Sequence, residues 1–387
     1  PAAAALYWER AAELAVSQAA PEAAIGYFNR ALELVKRLPA CAARDDQEAR
    51  LRIRLNMPLT VTTGFASAET EQNVARLAEI LKVAEPSEGA LQLLWSRCMA
   101  ALVRADLVTA KTTAFSMRRA VGRSDLPNVT RMPERILGYV AMLEGDLDAA
   151  ESHFGRVLTG YAPAALDPIL PGHPFDVLAS SLSQRAILMA LRDRPALVDR
   201  DQARALARAH QLDSPATLFQ VLVHLCIARL ELGDHDAVRP LLKELRELVD
   251  RDEIAPLYVE LWEAWLQARD GALDAGLTSM ALAQEKGTQY PLWTPRALLM
   301  RADLLAAARR HAEALAVLDT CDAEIQRLRH TYLRADAIRR RAACRAALGA
   351  SPAEVDALLS DALAIAAKQG ATRFQRAAAR DLDRHRG

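Results

Sequence analysis

The chain has 387 residues, and its 49 basic and 49 acidic side chains give a formal net charge of zero. General nucleic-acid binders and membrane-surface binders are usually basic, so this balance argues against both classes. Ala, Leu, Arg and Glu dominate while β-branched and aromatic residues are sparse, which favours an all-α protein. The length exceeds that of a usual single domain, but a repeat solenoid escapes this limit because each repeat packs only against its neighbours.

The cysteines and the first residues of the chain indicate the cellular compartment. Five scattered cysteines argue against a disulfide framework or a zinc site and favour a reducing cytosol. No signal peptide opens the chain, and no run approaches the roughly 18 apolar residues of a membrane span. We therefore expect a cytoplasmic protein without membrane contact. Because Pro1 stands almost at the start of a helix, we expect a fragment of a longer protein, cut at a domain boundary.

The first three predicted elements are helical hairpins covering about 5–38, 46–82 and 87–122. In the second helix of the first hairpin, Ala24, Phe28 and Ala31 mark one face with a spacing of four and then three residues. This spacing is typical of an amphipathic helix that buries a single stripe. Pro39 follows that helix, as a residue that cannot continue it.

The fourth hairpin, 130–161, shows the repeat most clearly. Gly138 is followed by Ala150, Phe154 and Val157, and the break between the two helices falls at Gly145. Small residues at these points let two antiparallel helices approach closely, while the aromatic ring fills the space behind them. We expect Gly138 to contact Ala150 and Phe154 to be buried. The pattern resembles a tetratricopeptide repeat (TPR), whose hairpin cannot bury its apolar face alone.

A proline-rich loop, 161–176, then interrupts the repeats. Prolines exclude helix across most of it, and long insertions in solenoids often lie on the binding face. His173 and Asp176 lie in this loop, where loop architecture is the plain interpretation and ligand contact the sharper one. A cryptic hydrolase or lyase using these two residues is the alternative function, although no nucleophile stands at a recognisable spacing.

Five further hairpins are predicted at about 177–210, 214–250, 254–287, 294–328 and 331–370, followed by a capping helix at 372–386. The helix at 218–226 is apolar nearly all round, so it should be among the most buried. The predicted organisation is thus 1–160 as N-terminal TPR-like repeats, 161–176 as an inserted loop, and 177–387 as C-terminal TPR-like repeats with the cap. The predicted fold is an all-α right-handed superhelix of about nine TPR-like hairpins.

The whole chain resembles one family. The features that support this are the Tyr7–Trp8 opening, the 166–176 loop, the Trp293–Thr294–Pro295 segment and the run 301–305. They resemble the C-terminal TPR-like tail of large bacterial signalling regulators, in which a winged-helix or nucleotide-cyclase domain and a STAND-type ATPase precede the tail. The resemblance implies a non-catalytic sensor in signal transduction or transcription regulation. Its partner would be a protein, a peptide, a small effector or its own ATPase domain.

Motifs for catalysis or cofactor binding are absent from the sequence. It contains no phosphate-binding loop of the G-x-x-x-x-G-K-[ST] type, no G-x-G-x-x-G turn, no G-x-S-x-G elbow and no H-E-x-x-H pair. We therefore expect no cofactor and no catalytic residue, and we expect neither zinc nor ATP to bind. His224 lies in the apolar helix and is interpreted as a core residue.

Two sets of residues are candidates for ligand or partner contact. Aromatic side chains on the first helices would face the concave side, where they suit peptide or small-molecule capture, although ordinary inter-repeat packing is the favoured interpretation; they are Trp95, Trp262, Trp265 and Trp293. The cluster of Arg339 and Arg340 with Arg341 and Arg345 is either a solvated helix face or a site for an acidic segment or phosphate. We expect binding on the concave side near the 161–176 loop or, failing that, around Arg340.

Overall fold

The computed structural model describes residues 2–18, 20–64, 67–81, 88–121, 127–159, 175–250, 255–287 and 290–386. Within these ranges the regular structure is helical throughout, without any strand, and includes two short 3-10 turns at 291–293 and 331–333. The α-helices of the described ranges are α1 (Ala2–Ser17), α2 (Pro21–Lys36), α3 (Ala42–Thr63), α4 (Ala68–Leu81), α5 (Glu88–Val103), α6 (Leu107–Ala120), α7 (Pro127–Leu143), α8 (Leu147–Leu158), α9 (Val177–Leu191), α10 (Pro195–Leu212), α11 (Pro215–Leu232), α12 (Val238–Arg246), α13 (Ala255–Arg269), α14 (Leu273–Lys286), α15 (Thr294–Ala307), α16 (His311–Leu328), α17 (Arg334–Ala347), α18 (Pro352–Gln369) and α19 (Thr372–Arg386).

These helices pair in sequence order as hairpins. The two helices of a pair pack together, as in α1 with α2 and α17 with α18, and the first helices of neighbouring repeats also contact, as in α13 with α15 and α15 with α17. Each predicted hairpin matches one helix pair, and α19 is the predicted capping helix. The chain is therefore an all-α TPR-like solenoid, in which each repeat buries its apolar face against the next.

The turn between α7 and α8 contains a residue in the left-handed conformation. Gly145, after α7, has a φ of 76° and therefore lies in the left-handed region that favours glycine. Its backbone N–H donates to Met142 O at 3.0 Å, and the next N–H, of Asp146, donates to Ala141 O at 2.9 Å. The Asp146 carboxylate then accepts from the Ala149 N–H at 3.0 Å and caps α8. A left-handed residue followed by a capping carboxylate explains why the sequence marks this turn so clearly.

The second helices bury the predicted stripe. Ala150, Phe154 and Val157 in α8 are all fully buried. A Cβ built at Gly138 would lie 3.1 Å from the Phe154 ring and 3.2 Å from the Cβ of His153. The predicted burial of Phe154 is confirmed. The close approach at Gly138 is to Phe154 and His153, one turn further along α8 than the expected Ala150.

The chain forms two compact units, one of residues 1–133 with 164–176 and the other of 134–163 with 177–387. The division falls inside α7, whereas the sequence placed a boundary at residue 160. Residues 160–174, which include most of the predicted inserted loop, lie outside the described residues. The predicted three-part organisation stays a prediction.

The first unit combines an apolar core with buried polar links. Leu51 and Leu55 of α3 pack with the α1–α2 hairpin. The Glu48 carboxylate accepts from Arg52 at 2.8 Å and from Arg76 at 2.9 Å, which joins α3 to α4. The hydrogen bond to Arg76, despite the opposing effect of burial, lowers the pKa of Glu48 to about 2. This unit is therefore held by apolar packing and by a buried ion pair.

The second unit has two interior helices. All but one of the 15 residues of α9 are buried, and α11 has an apolar surface nearly all round, as predicted. By length and composition α11 is also apolar enough to cross a membrane, with a mean hydropathy of 1.3, contrary to the expectation that no segment would be. Because 67% of that segment is buried within the protein, α11 serves as a core helix of the solenoid.

Candidate functional site: a charged pocket in the C-terminal repeats

In the second unit, the capping helix α19 packs against α9, which lies ten helices earlier. The link is made by Asp193, in the turn between α9 and α10. Its carboxylate accepts from Arg373 at 3.3 Å and also from Arg376. The Arg373 guanidinium donates in addition to the carbonyl oxygen of Leu232, at the end of α11. The end of the solenoid is thus tied to two earlier turns by charge-assisted hydrogen bonds.

A second set of bonds ties the last two repeats to the turn after α7. The Thr331 hydroxyl donates to the Glu144 carbonyl oxygen, and Gln369 Nε2 donates to Thr331 O at 2.7 Å. Arg329 lies 3.0 Å from the Glu144 carboxylate. These bonds and those of Asp193 are called the closure contacts below. The contacts of Glu144 and Asp193 join residues that no repeat-to-neighbour packing would bring together.

A pocket of about 340 Å³ lies beside these contacts, and Arg373 belongs to both. Its volume lies at the lower end of the range for small-molecule sites. The lining is dominated by charged side chains from α11, α15, α17 and α19. They are Glu231, Arg296, Asp303, Asp336, Arg339, Arg340, Arg373, Arg380, Asp381 and Arg384, with His235, Met300 and Phe374 among the other lining residues.

The pocket's inner wall contains a buried ion pair. Arg296 of α15 donates to the Glu231 carboxylate of α11, and the two residues are only 4% and 5% exposed. Burial raises the pKa of Glu231, although Arg296 opposes this effect. Burial lowers the pKa of Arg296, but Glu231, Tyr332 and Asp336 together outweigh this effect, and the net direction is upward. The pair places a cation, and a carboxyl whose pKa is raised, against the cavity.

Helix α17 supplies the two predicted arginines. Arg339 donates to Asp336 and, at 2.9 Å, to Asp381 of α19. Arg340 lies 2.8 Å from the Asp336 carboxylate and also pairs with Asp303. Burial, and then the nearby Arg296, lower the pKa of Arg340 to about 9. Both guanidinium groups are half-buried and point into the pocket walls, and they are not part of a solvated face.

The other two arginines of the predicted cluster turn away from the pocket. Arg341 pairs with Asp319 of α16, and Arg345 lies 3.3 Å from Glu354 of α18. Because successive residues of a helix are rotated by about 100° from one another, adjacent arginines face different neighbours. The cluster therefore divides into a pocket pair and a surface pair.

Helix α19 lines the opposite wall. Phe374 and Leu382 are buried and anchor the helix, which leaves Arg380 and Arg384 at the pocket. Arg384 donates to Asp381 at 2.7 Å. Arg380 is exposed and, within the described part of the chain, has neither a hydrogen bond nor an ion pair to its side chain. It is the guanidinium group best placed to meet a ligand.

The predicted tryptophans of this unit are core residues. Trp262 and Trp265 are each 2% exposed, and their ring centroids lie 5.6 Å apart. The ring of Trp265 contacts that of the pocket residue His235, with 5.3 Å between the two ring centroids. Trp293 is 8% exposed and contacts His224. These rings stiffen the repeats and present little free surface to a ligand.

His224 itself is buried, as expected, and its Nδ1 lies 3.2 Å from the Ser183 hydroxyl. Burial lowers the pKa of His224 to about 3, so the imidazole is neutral at physiological pH. Its ring also contacts Tyr139 of α7. His224 is therefore an uncharged core residue that bridges several repeats.

The remaining predicted site residues belong elsewhere. Trp95 and Asp176 lie in the first unit and are 1% and 2% exposed. His173 lies outside the described residues. Of the residues predicted for binding, Arg339 and Arg340 line one pocket, and Trp265 contacts His235 in its lining.

The sequence interpretation missed most of the pocket. Arg373, Arg380 and Arg384 recur at helical spacing on one face of α19, but a capping helix was expected to turn this charged face to solvent. Arg296 and Glu231 were a further signal, because each is a charged residue within a mostly apolar helix. Charged residues in such positions are almost never fully buried unless they are paired.

The side chains that line the pocket are suited to binding a charged molecule. Among the described residues, no group of three or more His, Cys, Asp or Glu side chains is arranged to hold a metal ion. The pocket offers guanidinium donors together with carboxylate acceptors, which can orient a polar, charged molecule by multiple hydrogen bonds.

Comparisons with known proteins add little to this description. No protein-family model matches the chain, and the search of curated proteins gives no match. Among solved structures, the chain is similar to the P58(IPK) TPR domain, with 12% identity, coverage of 98% of each chain and a TM-score of 0.24. It is also similar to yeast Tom70, with 14% identity, coverage of 97% of this chain and 96% of that one, and a TM-score of 0.36. At these values neither likeness bears on the function.

Proposed function

We propose that the protein is a non-catalytic interaction and sensor module of a cytoplasmic bacterial signalling or transcription regulator. Its C-terminal repeats bind a small effector or a partner segment in the charged pocket. Binding is communicated to an output domain, of which a STAND-type ATPase elsewhere in the full-length chain is the expected example. The support for the regulator part is the resemblance of the repeats to the tails of such proteins.

The observation that carries the proposal is the position of the pocket. Its walls come from α11, α15, α17 and α19. The closure contact of Arg373 with Leu232 ties α19 to the end of α11, so the pocket has a wall on each side of that contact. A ligand held there touches both sides at once and favours the closed arrangement over any arrangement in which α19 moves away. Such differential affinity is the requirement for a ligand to shift a conformational equilibrium.

The closure contacts are suited to this role because they are polar and partly exposed. The side chains of Asp193 and Arg373 are 18% and 32% exposed, and Arg376 is 67% exposed. Ion pairs of this kind contribute about 0.2–1 kcal/mol each. Breaking them costs far less free energy than unfolding a repeat, so these contacts can break and re-form while the repeats stay folded.

The test uses the full-length protein and an Asp193→Asn substitution. Asparagine fits the positive φ of 56° at this position but removes the charge that holds Arg373 and Arg376. We expect hydrogen exchange in α19 to accelerate and the ATP hydrolysis rate to change by up to about tenfold, the equivalent of 1.4 kcal/mol. Asp236→Asn is the matched control, because Asp236 lies in the turn between α11 and α12 and its side chain is 98% exposed.

Two results would count against the proposal. If α19 opens in the Asp193→Asn variant while ATP hydrolysis matches both the wild type and the control, the closure contacts do not communicate with an ATPase. If the full-length chain lacks a nucleotide-binding domain, the regulator part is wrong. The hydrolase or lyase alternative gains no support from Asp176, which is buried.

A further inference from the structure

The pocket has an excess of positive charge. Its lining contains six arginines and four acidic side chains, a formal net charge of +2 with His235 neutral. Arg376 and Asp193 pair just outside the lining, and including both leaves the net charge at +2. In a chain whose total charge is zero, this local excess is not a consequence of composition.

The excess is concentrated where a ligand would enter. The deeper cations have partners, since Arg296 pairs with Glu231, and Arg339 and Arg340 share Asp336. At the rim, Arg384 pairs with Asp381 but is 76% exposed, and Arg380 is the lining arginine for which the described residues provide no partner. A dianion placed between these two would be neutralised without breaking a buried pair.

The chemistry of the pocket distinguishes among anions. Arginine presents planar, forked donors that bind phosphate or carboxylate oxygens in pairs. Arg380 and Arg384 lie one helical turn apart on α19, and their several N–H donors suit the three oxygens of a phosphate monoester better than the two of a carboxylate. Asp303, whose side chain is 48% exposed, remains available as an acceptor for hydroxyl or amino groups. The volume of about 340 Å³ admits a small molecule and excludes a folded partner.

We infer that the pocket binds a small phosphate monoester that also bears hydroxyl or amino groups, with Arg380 and Arg384 holding the phosphate and Asp303 orienting the remainder. This inference rests on the proposed function, since it names the class of effector for the same site. Binding ties α19 more firmly to α11, α15 and α17, and so stabilises the closure contacts.

The inference is tested by calorimetric titration of the protein with glycerol 3-phosphate. Glycerol tests whether the phosphate is required, and inorganic phosphate tests whether the organic part contributes. We expect saturable one-to-one binding of glycerol 3-phosphate, weaker binding of inorganic phosphate and no binding of glycerol. The Arg380→Gln/Arg384→Gln double variant should weaken binding by about tenfold or more, as expected for lost hydrogen bonds to a charged group.

The control is Arg345→Gln. Arg345 is half-exposed on α17 and outside the pocket lining, so this variant removes an arginine without touching the site. Because Arg380 and Arg384 are exposed, the double variant should keep its fold, and circular dichroism checks this directly. Equal weakening in the control and the double variant would show nonspecific attraction and overturn the site.

Two further outcomes would reject the ligand class. Absence of saturable binding by any phosphate would reject it outright, and tighter binding of succinate than of glycerol 3-phosphate would assign the pocket to a dicarboxylate. Neither outcome alters the effect of Asp193→Asn on ATP hydrolysis. A failure of the ligand class is therefore distinguishable from a failure of the sensor function.

Discussion

The Asp193 carboxylate accepts a hydrogen bond from Arg373 at 3.3 Å, which connects the turn of the fifth repeat to the capping helix across 180 positions of sequence. In a solenoid, each repeat ordinarily contacts only its neighbours. This bond belongs to a different class of contact, because it closes the C-terminal repeats upon earlier ones. It also lies beside the pocket to which Arg373 contributes.

The closure contacts should contribute modestly to stability. We expect Asp193→Asn to lower the free energy of unfolding by about 0.5–1 kcal/mol, since two partly exposed ion pairs are lost. Urea denaturation measures the change, and the effect should shrink in high salt because salt screens exposed pairs. A loss that is the same at low and high salt would show that the substitution acts through the backbone turn.

The buried pair of Arg296 and Glu231 should behave differently. Arg296→Met leaves the Glu231 carboxyl buried without its partner, and we expect a destabilisation of about 3–5 kcal/mol. Combining Arg296→Met with Glu231→Leu replaces the whole pair with apolar groups and should recover most of the loss. A double-mutant cycle measured by denaturation decides this, and additive effects of the two substitutions would contradict the assigned pairing.

The packing at Gly138 predicts a strong dependence on side-chain size. Its added Cβ would meet the Phe154 ring at 3.1 Å, so Gly138→Leu should overpack the fourth hairpin and destabilise it by about 1–3 kcal/mol. Gly155 is the matched control on α8, since a Cβ there meets no atom within 4 Å. Gly155→Ala should be neutral or stabilising by up to ~1 kcal/mol. Equal melting temperatures for wild type and Gly138→Leu would reject the register.

The ion pairs of Glu48 predict a pH dependence in the first unit. The pKa of Glu48 is lowered from 4.5 to about 2 in the folded state, so its stabilising effect is complete above the unfolded value. The effect is lost as pH falls from about 4.5 through about 2. We expect Glu48→Gln to destabilise by about 2 kcal/mol at neutral pH, the value of a hydrogen bond to a charged group. The difference from wild type should vanish in acid, and a difference unchanged at pH 2 would exclude this mechanism.

The sequence by itself determined the helical hairpins and their order. Gly145 with Asp146 marks a turn because a left-handed residue and a capping carboxylate are local chemical requirements. Ala150, Phe154 and Val157 mark a buried stripe because helical periodicity places them on one face. These signals operate within one repeat, so they can be read without knowing how distant repeats are placed.

Only the tertiary structure decided where the charged side chains meet. The sequence shows Arg339, Arg340 and Arg341 as one run, but helical rotation directs the first two into the pocket and the third to Asp319. The meeting of Arg373 with Asp193 depends on the small rotations between successive repeats, which add up along the solenoid. Since no local pattern specifies that sum, the pocket and its closure contacts follow from the packed structure alone.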